Sequence, residues 1–199
     1  MTVITENEVF IMTDEQTDWR EKALKWKKQL AWRATHDSLT GLPNRMLFID
    51  RLSMAIIQAQ RERERAAVVI LNLDGYKNVV HSLGLRAGDE LIKEVATDLR
   101  RRLRKGDTLA RMDMDEFLIL LPRILRIPDA ATSVTKVLEG LQSEPFIIQG
   151  QQLKITASAG IACYPENGDQ AEELIRCADV ALCEAKEAGK NTHRIYRPM

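Results

Sequence analysis

Residues 110–121, ARMDMDEFLILL, decide the fold. They read as two short apolar strands folded over an acidic tip that gathers Asp113, Asp115 and Glu116 within four residues. A tight hairpin uses Gly, Asn or Asp where the backbone takes a positive φ, and this reading puts the tip at Asp113-Met114, where methionine is a poor occupant. The turn therefore poses two questions: why it carries methionine, and why carboxylates crowd it.

Upstream, AAVVILNLD (66–74) is a β-branched run between an arginine-rich helix end and Gly75, the pattern of a buried strand. Asp74 ends it. If that strand neighbours the hairpin, Asp74, Asp115 and Glu116 converge, as groups do that hold Mg²⁺ and leave room for substrate phosphates. The alternative is that polar turns are simply acidic, and these residues taken alone favour it.

The remaining pattern alternates. Pro43 suits the first turn of a helix over 43–63, a short helix follows near 76–82, and a long one over 87–104 carries Leu91, Ile92, Val95, Leu99 and Leu103 at helical spacing. After the hairpin come a helix over 129–143 behind Pro128, a second hairpin within FIIQGQQLKITASAGIACY (146–164) turning at Gln149-Gly150, a helix over 170–188 closed by Gly189, and a strand HRIY (193–196). The expected fold is α/β, a mixed sheet flanked by helices. Residues 1–12 show no clear period and stay unassigned. Thr13-x-x-Gln16 fits a capping box, and Trp19, Ala23, Trp26 and Leu30 form one apolar stripe, predicting a stalk or linker helix over 13–35 ahead of a domain over 36–199. That stripe packs on its own domain or on a second copy as a coiled coil.

Composition narrows the classes. Lys+Arg and Asp+Glu both number 29 in 199 residues, so no general attraction to nucleic acid or anionic membrane is expected. The run AAVVIL (66–71) falls far short of the ~20 residues that cross a bilayer, and the N-terminus lacks a signal-peptide layout. Cys163, Cys177 and Cys183 have no C-x-x-C spacing, which predicts reduced thiols acting as small buried hydrophobes in a cytoplasm. His36, His81 and His193 are scattered and read as surface or loop residues rather than metal ligands. Trp19, Trp26 and Trp32 read as packing residues rather than platforms for bases.

Five segments, DSLTGLPNRMLF (37–48), LNLDGYKNVVHSLGLRAGDELI (71–92), RMDMDEF (111–117), ASAGIACYP (157–165) and ADVALCEAKEAGKN (178–191), in this order and spacing resemble the GGDEF domain family of diguanylate cyclases. The resemblance covers about residues 34–197. It implies a nucleotidyl-cyclase and polymerase-palm-like sandwich, and active members condense two GTP into cyclic di-GMP across a dimer using two divalent metals.

Carried over one position at a time, the family's functional residues give an uneven result. The first metal-binding aspartate falls on Asn72, which offers an oxygen without charge, so Mg²⁺ binding is expected to weaken. The asparagine that reads guanine falls on Val80, and unpaired base groups cost roughly 1–3 kcal/mol each. Its partner aspartate is kept as Asp89. The Gly-Gly pair becomes Asp113-Met114, whose side chains are expected to obstruct the nucleotide, while Asp115 and Glu116 keep the metal-ligand and catalytic-acid positions and Phe117 follows. Lys77, Lys186 and Lys190 match positions near the phosphates; each is also an ordinary surface lysine.

A second site is better kept. Arg104-Lys105-Gly106-Asp107 fits R-x-x-D at the offset where the family binds its product, and an arginine fork with an aspartate suits a guanine edge. Without the family, the simpler reading is a basic helix end with Gly106 as its C-cap.

The expectation is a cytoplasmic domain, alone or as the cytoplasmic part of a larger membrane-linked protein, that binds cyclic di-GMP at Arg104 and Asp107 and no longer synthesises it. Two alternatives stand beside it: a slow cyclase using Asp115, Asp74 and Asn72 around Mg²⁺ and GTP, and a nucleotide-silent domain that dimerises through its N-terminal helix. The resemblance further implies an adjoining EAL or sensory domain.

Overall fold

The computed structural model describes residues 2–5, 8–11 and 14–198. They divide into two units, Met1–His36 and Asp37–Met199. In the first, β1 (Thr2–Thr5) pairs antiparallel with β2 (Glu8–Ile11), and α1 (Asp14–Thr35) follows. A hairpin thus occupies the stretch left unassigned from sequence, while Thr13 of the expected capping box lies outside the described residues. Trp19 and Trp26 are each 69% exposed on α1. Trp32 stacks on His36 at 4.8 Å, and the His36 ring contacts the Thr35 hydroxyl at 2.9 Å.

The second unit is built around β3 (Arg65–Asp74), whose residues from Ala66 to Leu73 are all buried. On one side β3 pairs with β5 (Glu116–Ile124), which carries β4 (Thr108–Asp113) at its far edge. On the other it pairs with β8 (Thr156–Tyr164), and β9 (His193–Ile195) runs parallel beside β8, giving the order β4-β5-β3-β8-β9. All pairs but the last are antiparallel. The sheet is mixed, as expected.

Alternation along β3 divides the core. Ala67, Val69, Leu71 and Leu73 face α3 (Tyr76–Leu83), α4 (Leu85–Arg102) and α5 (Ile127–Ser143), while Ala66, Val68 and Ile70 face α2 (Arg45–Glu62) and α6 (Ala171–Glu187). Helices on both faces explain why the strand reads as a continuous apolar run.

Three local expectations are corrected. Helix α2 begins after Asn44, whose side chain caps Leu47 N at 3.1 Å, so Pro43 lies outside the helix and its carbonyl accepts from Arg111 N at 3.0 Å. The second hairpin is only β6 (Phe146–Ile148) and β7 (Gln151–Leu153), turning at Gln149 (φ 50°) and Gly150 (φ 77°); β8 is a separate strand at the centre of the main sheet. Cys163 and Cys177 are buried, with burial pushing the Cys163 thiol up to about 12, but Cys183 is exposed. His193 lies in β9, within the strand expected over 193–196.

Close approach of β8 to α6 needs Gly160. A Cβ there would come within 2.0 Å of the Ala178 carbonyl oxygen and 2.3 Å of Leu182 N, both rigid backbone. Gly160→Ala is expected to destabilise by about 3 kcal/mol or more, read as a lower urea midpoint at unchanged slope. Gly106→Ala, with nothing within 4 Å of the added methyl, is expected to change stability by less than about 0.5 kcal/mol.

Candidate nucleotide site

The hairpin answers its own question about methionine. Asp113 pairs with Glu116, so the two turn residues are Met114 and Asp115, one position later than the sequence reading placed the tip. Among the described residues, positive φ outside glycine occurs only at Arg63, Gln149, Lys190 and Asn191, none of them in this turn. The strain is avoided by a register shift between Arg111 and Asp113, a bulge that adds twist and lets the turn close without glycine. Side chains then fasten it. Asp113 Oδ1 accepts from Met114 N at 2.8 Å, Arg111 Nε donates to the Asp113 carbonyl at 3.2 Å, and Arg111 Nη2 donates to the Met114 carbonyl at 2.9 Å. Arg111 Nη1 also meets both Asp37 carboxylate oxygens, at 3.2 and 3.3 Å, tying the hairpin to the loop before α2. Met114 itself is 53% exposed.

Register sets what faces the hairpin. Asn72 of β3 lies opposite Glu116 of β5 and opposite Ser158 of β8, and its amide donates to Glu116 Oε1 at 3.2 Å. Asp74 also anchors the neighbouring segments. Its carboxylate accepts from the Thr156 and Ser158 hydroxyls, each at 2.8 Å, and from Asn191 N at 3.0 Å. It therefore holds β8 and the segment after α6, and it shares a cavity with Asp115 and Glu116. No group of three or more His, Cys, Asp or Glu side chains suited to a metal exists among the described residues.

A cavity of about 410 Å³ lies between this strand end and α3, lined by Asn72, Asp74, Tyr76, Lys77, Asp115, Glu116, Lys186 and Lys190 among others. Gly75 at φ 77° turns the chain from β3 into α3, so the N-terminus of α3 opens on the cavity. Three lysines and a helix N-terminus make it attractive to phosphate. Asp113 and Met114 are not among the residues that line it. Val80 on α3 is half-buried and Asp89 on α4 is exposed.

Burial raises the Glu116 carboxyl above its ordinary value; Lys186 pulls it back, and Asp115, Asp179 and Asp113 add to the rise. For a Mg²⁺ ion these residues offer two neighbouring carboxylates and one amide. That donor set fits an ion that draws most of its ligands from water and phosphate, with Asp115 and Glu116 as its protein partners, and not an all-protein cage.

The second site is a turn between α4 and β4. Asp107 Oδ2 accepts from Arg104 N at 2.9 Å, Asp107 N donates to the Arg104 carbonyl at 3.1 Å, and Arg100 Nη1 donates to the Asp107 carbonyl at 3.0 Å. Burial raises the Asp107 carboxyl, against lowering by the Arg104 backbone N–H and by the charges of Arg104 and Arg100. Helix α4 ends at Arg102 with Leu103 as its cap, so Gly106 belongs to the turn and is not the C-cap. Arg104 also lines a groove of about 300 Å³ with Arg123, Arg126 and Lys136, basic residues that the sequence reading missed because they come from β5, the N-cap of α5 and the middle of that helix.

The sequence matches the family described as "Diguanylate cyclase, GGDEF domain" over residues 34–192. It is 44% identical over 170 residues to the bifunctional diguanylate cyclase/cyclic di-GMP phosphodiesterase MucR of Pseudomonas aeruginosa, covering 85% of this chain and 24% of that protein. It is 34% identical over 184 residues to the diguanylate cyclase TpbB of the same species, covering 92% of this chain and 42% of that protein. The chain thus spans less than half the length of these relatives. Among solved structures, the GGDEF domain of TpbB superposes with a TM-score of 0.79 at 35% identity, over 81% of this chain and 94% of that one. The coiled coil and GGDEF domain of DgcB from Caulobacter crescentus, in complex with cyclic di-GMP, gives 0.81 at 25% identity, over 91% and 95%. With the mixed five-stranded sheet and the acidic hairpin in the expected places, the chain belongs to the GGDEF domain family of diguanylate cyclases.

Proposed function

We propose that this GGDEF domain is a regulatory module of cyclic di-GMP signalling that binds cyclic di-GMP at Arg104 and Asp107 and has little or no cyclase activity. The observation that carries the reading is the pairing of Asn72 with Glu116. Where a cyclase of this family has a carboxylate, the chain presents a neutral amide that donates to Glu116, while Asp74 is committed to Thr156, Ser158 and Asn191. Two Mg²⁺ beside a triphosphate need anionic ligands that this arrangement does not gather. The Arg104 turn is in contrast preorganised. Asp107 holds the Arg104 backbone in place through one carboxylate oxygen, and the guanidinium lines a basic groove.

One observation favours a second reading, a slow cyclase: the cavity beside Asp115 and Glu116 is open and retains Lys77, Lys186 and Lys190. The regulatory reading requires no metal; on the cyclase reading Asp115 and Glu116 would hold Mg²⁺, with Asn72 as a weak ligand. The exposed Trp19, Leu24, Trp26 and Leu30 of α1 support a homodimer through that helix, and a domain organisation of linker helix 13–35 and GGDEF-like domain 36–199 accords with the division after His36. No helix among the described residues is long and apolar enough to cross a membrane.

Calorimetry at micromolar protein is expected to show cyclic di-GMP binding that falls at least tenfold in Arg104→Ala, the loss of a bidentate charged contact. Binding unchanged by that substitution removes the receptor reading. Incubation with GTP and Mg²⁺ is expected to yield no cyclic di-GMP above background; turnover that disappears in Glu116→Ala establishes the cyclase instead.

The raised Glu116 carboxyl adds a pH-dependent test. A folded-state value above the unfolded one means that the native state binds its proton more tightly, so the ionised group costs stability as pH rises through that interval. Glu116→Gln is expected to raise the denaturation midpoint near neutral pH, with the gain vanishing below about pH 4, where the unfolded carboxyl is itself protonated. A gain that persists in acid points to packing rather than charge.

A further inference from the structure

The chain leaving α6 is held in a strained backbone. Gly189, Lys190 and Asn191 take φ of 109°, 64° and 48° in succession, so two residues with side chains sit in the left-handed region. Asparagine tolerates that region through its short polar side chain, but lysine has no such preference, and the strain persists only where the surroundings over-determine it. Here they do. Lys190 N donates to the Ala185 carbonyl at 3.2 Å, and Asn191 N donates to Asp74 Oδ2 at 3.0 Å. The Asn191 side chain is met head to head by another amide: Gln142 Nε2 donates to Asn191 Oδ1 at 2.5 Å, and Asn191 Nδ2 donates to Gln142 Oε1 at 3.3 Å. Gln142 stands in the last turn of α5 and is exposed. Lys190 lines the 410 Å³ cavity, whereas Gln142 is not among the residues that do.

We infer that Gln142 is a positioning residue for this cavity: through Asn191 it holds the backbone conformation that aims Lys190 at an anionic ligand. This rests on the reading that the cavity takes phosphate groups at Lys77, Lys186, Lys190 and the N-terminus of α3. The two lysines from the α6 end are placed by different means. Lys186 belongs to α6, whose own hydrogen bonds set its backbone. Lys190 lies beyond the end of that helix, so the direction of its side chain follows from φ at 190 and 191, and a return of either to negative φ redirects the ammonium group. Asp74 grips the Asn191 backbone and itself lines the cavity. Gln142 grips the Asn191 side chain from outside the cavity. A primary amide donates and accepts side by side, so this one side chain satisfies both ends of Asn191 and fixes its orientation.

The test measures binding of inorganic triphosphate by calorimetry to the full chain, to Gln142→Ala, to Lys190→Ala and to the double variant. Lys190→Ala is expected to weaken binding about tenfold, the loss of a charge-assisted contact, and Gln142→Ala about threefold. Added to Lys190→Ala, the Gln142→Ala change is expected to cost nothing further, because it acts through that lysine; a purely structural role costs the same in both backgrounds. Gln142→Asn keeps the amide but is one methylene shorter, and it is expected to lose affinity as Gln142→Ala does. Equal affinity in the full chain and Gln142→Ala, or an equal loss with and without Lys190, overturns the inference and leaves the phosphate reading in place. Affinity unchanged by Lys190→Ala, or no binding to the full chain, overturns the phosphate reading and the inference with it.

Discussion

Burial of β3 on both faces is the constraint on which the rest of the second unit depends. With helices above and below, a slip of one residue against either neighbour would exchange the two halves of the core, moving Val69 and Leu71 to where Val68 and Ile70 now pack. The register is therefore held by the whole apolar run, and the polar residues at its end inherit their positions from it. Asn72 faces Glu116 on one side and Ser158 on the other because the six buried residues from Ala66 to Leu71 leave it no alternative partner. The chemistry at the strand end is a by-product of hydrophobic packing some distance away.

Much of the architecture was legible from period and punctuation. β3 was readable as a β-branched run bounded by Gly75, and α4 from apolar residues recurring over four turns, because in both the burial pattern is written directly in residue type. β8 was less so. Its small residues answer to close packing rather than to strand propensity, with Gly160 against α6 and Ala157 and Ala159 in the core on the opposite face, and the adjacent Gln149-Gly150 turn drew it into the wrong hairpin. The start of α2 was missed by a residue or two for a similar reason: Asn44 caps the helix, and Pro43 serves the β4 strand through its carbonyl.

The site was legible in its residues and not in their partners. Asp115, Glu116 and the lysines line one cavity as expected, but nothing in one dimension shows that Asp74 is satisfied by two hydroxyls and a backbone N–H from β8 and the turn after α6. Glycine is dispensable at the hairpin because a bulge at Met112 and the reach of Arg111 across to Asp37 change what the turn demands. Asp37 shows the strength of that clasp: burial pushes its carboxyl up, yet hydrogen bonds from Thr40 and Arg111 bring it below the usual carboxylate range.

The charges around the cavity separate two tasks that a cyclase must combine. Holding a triphosphate requires positive groups, and Lys77, Lys186 and Lys190 with the N-terminus of α3 provide them without any contribution from Asn72. Concentrating two divalent ions requires negative ones, and there the amide at Asn72 and the engagement of Asp74 both subtract. Replacing one carboxylate by an amide therefore acts on the two tasks with opposite sign: it removes a repulsion felt by phosphate and an attraction felt by metal. Through this asymmetry a catalytic pocket can become a binding pocket by a change of a single charge, while its fold and lysines stay as they are.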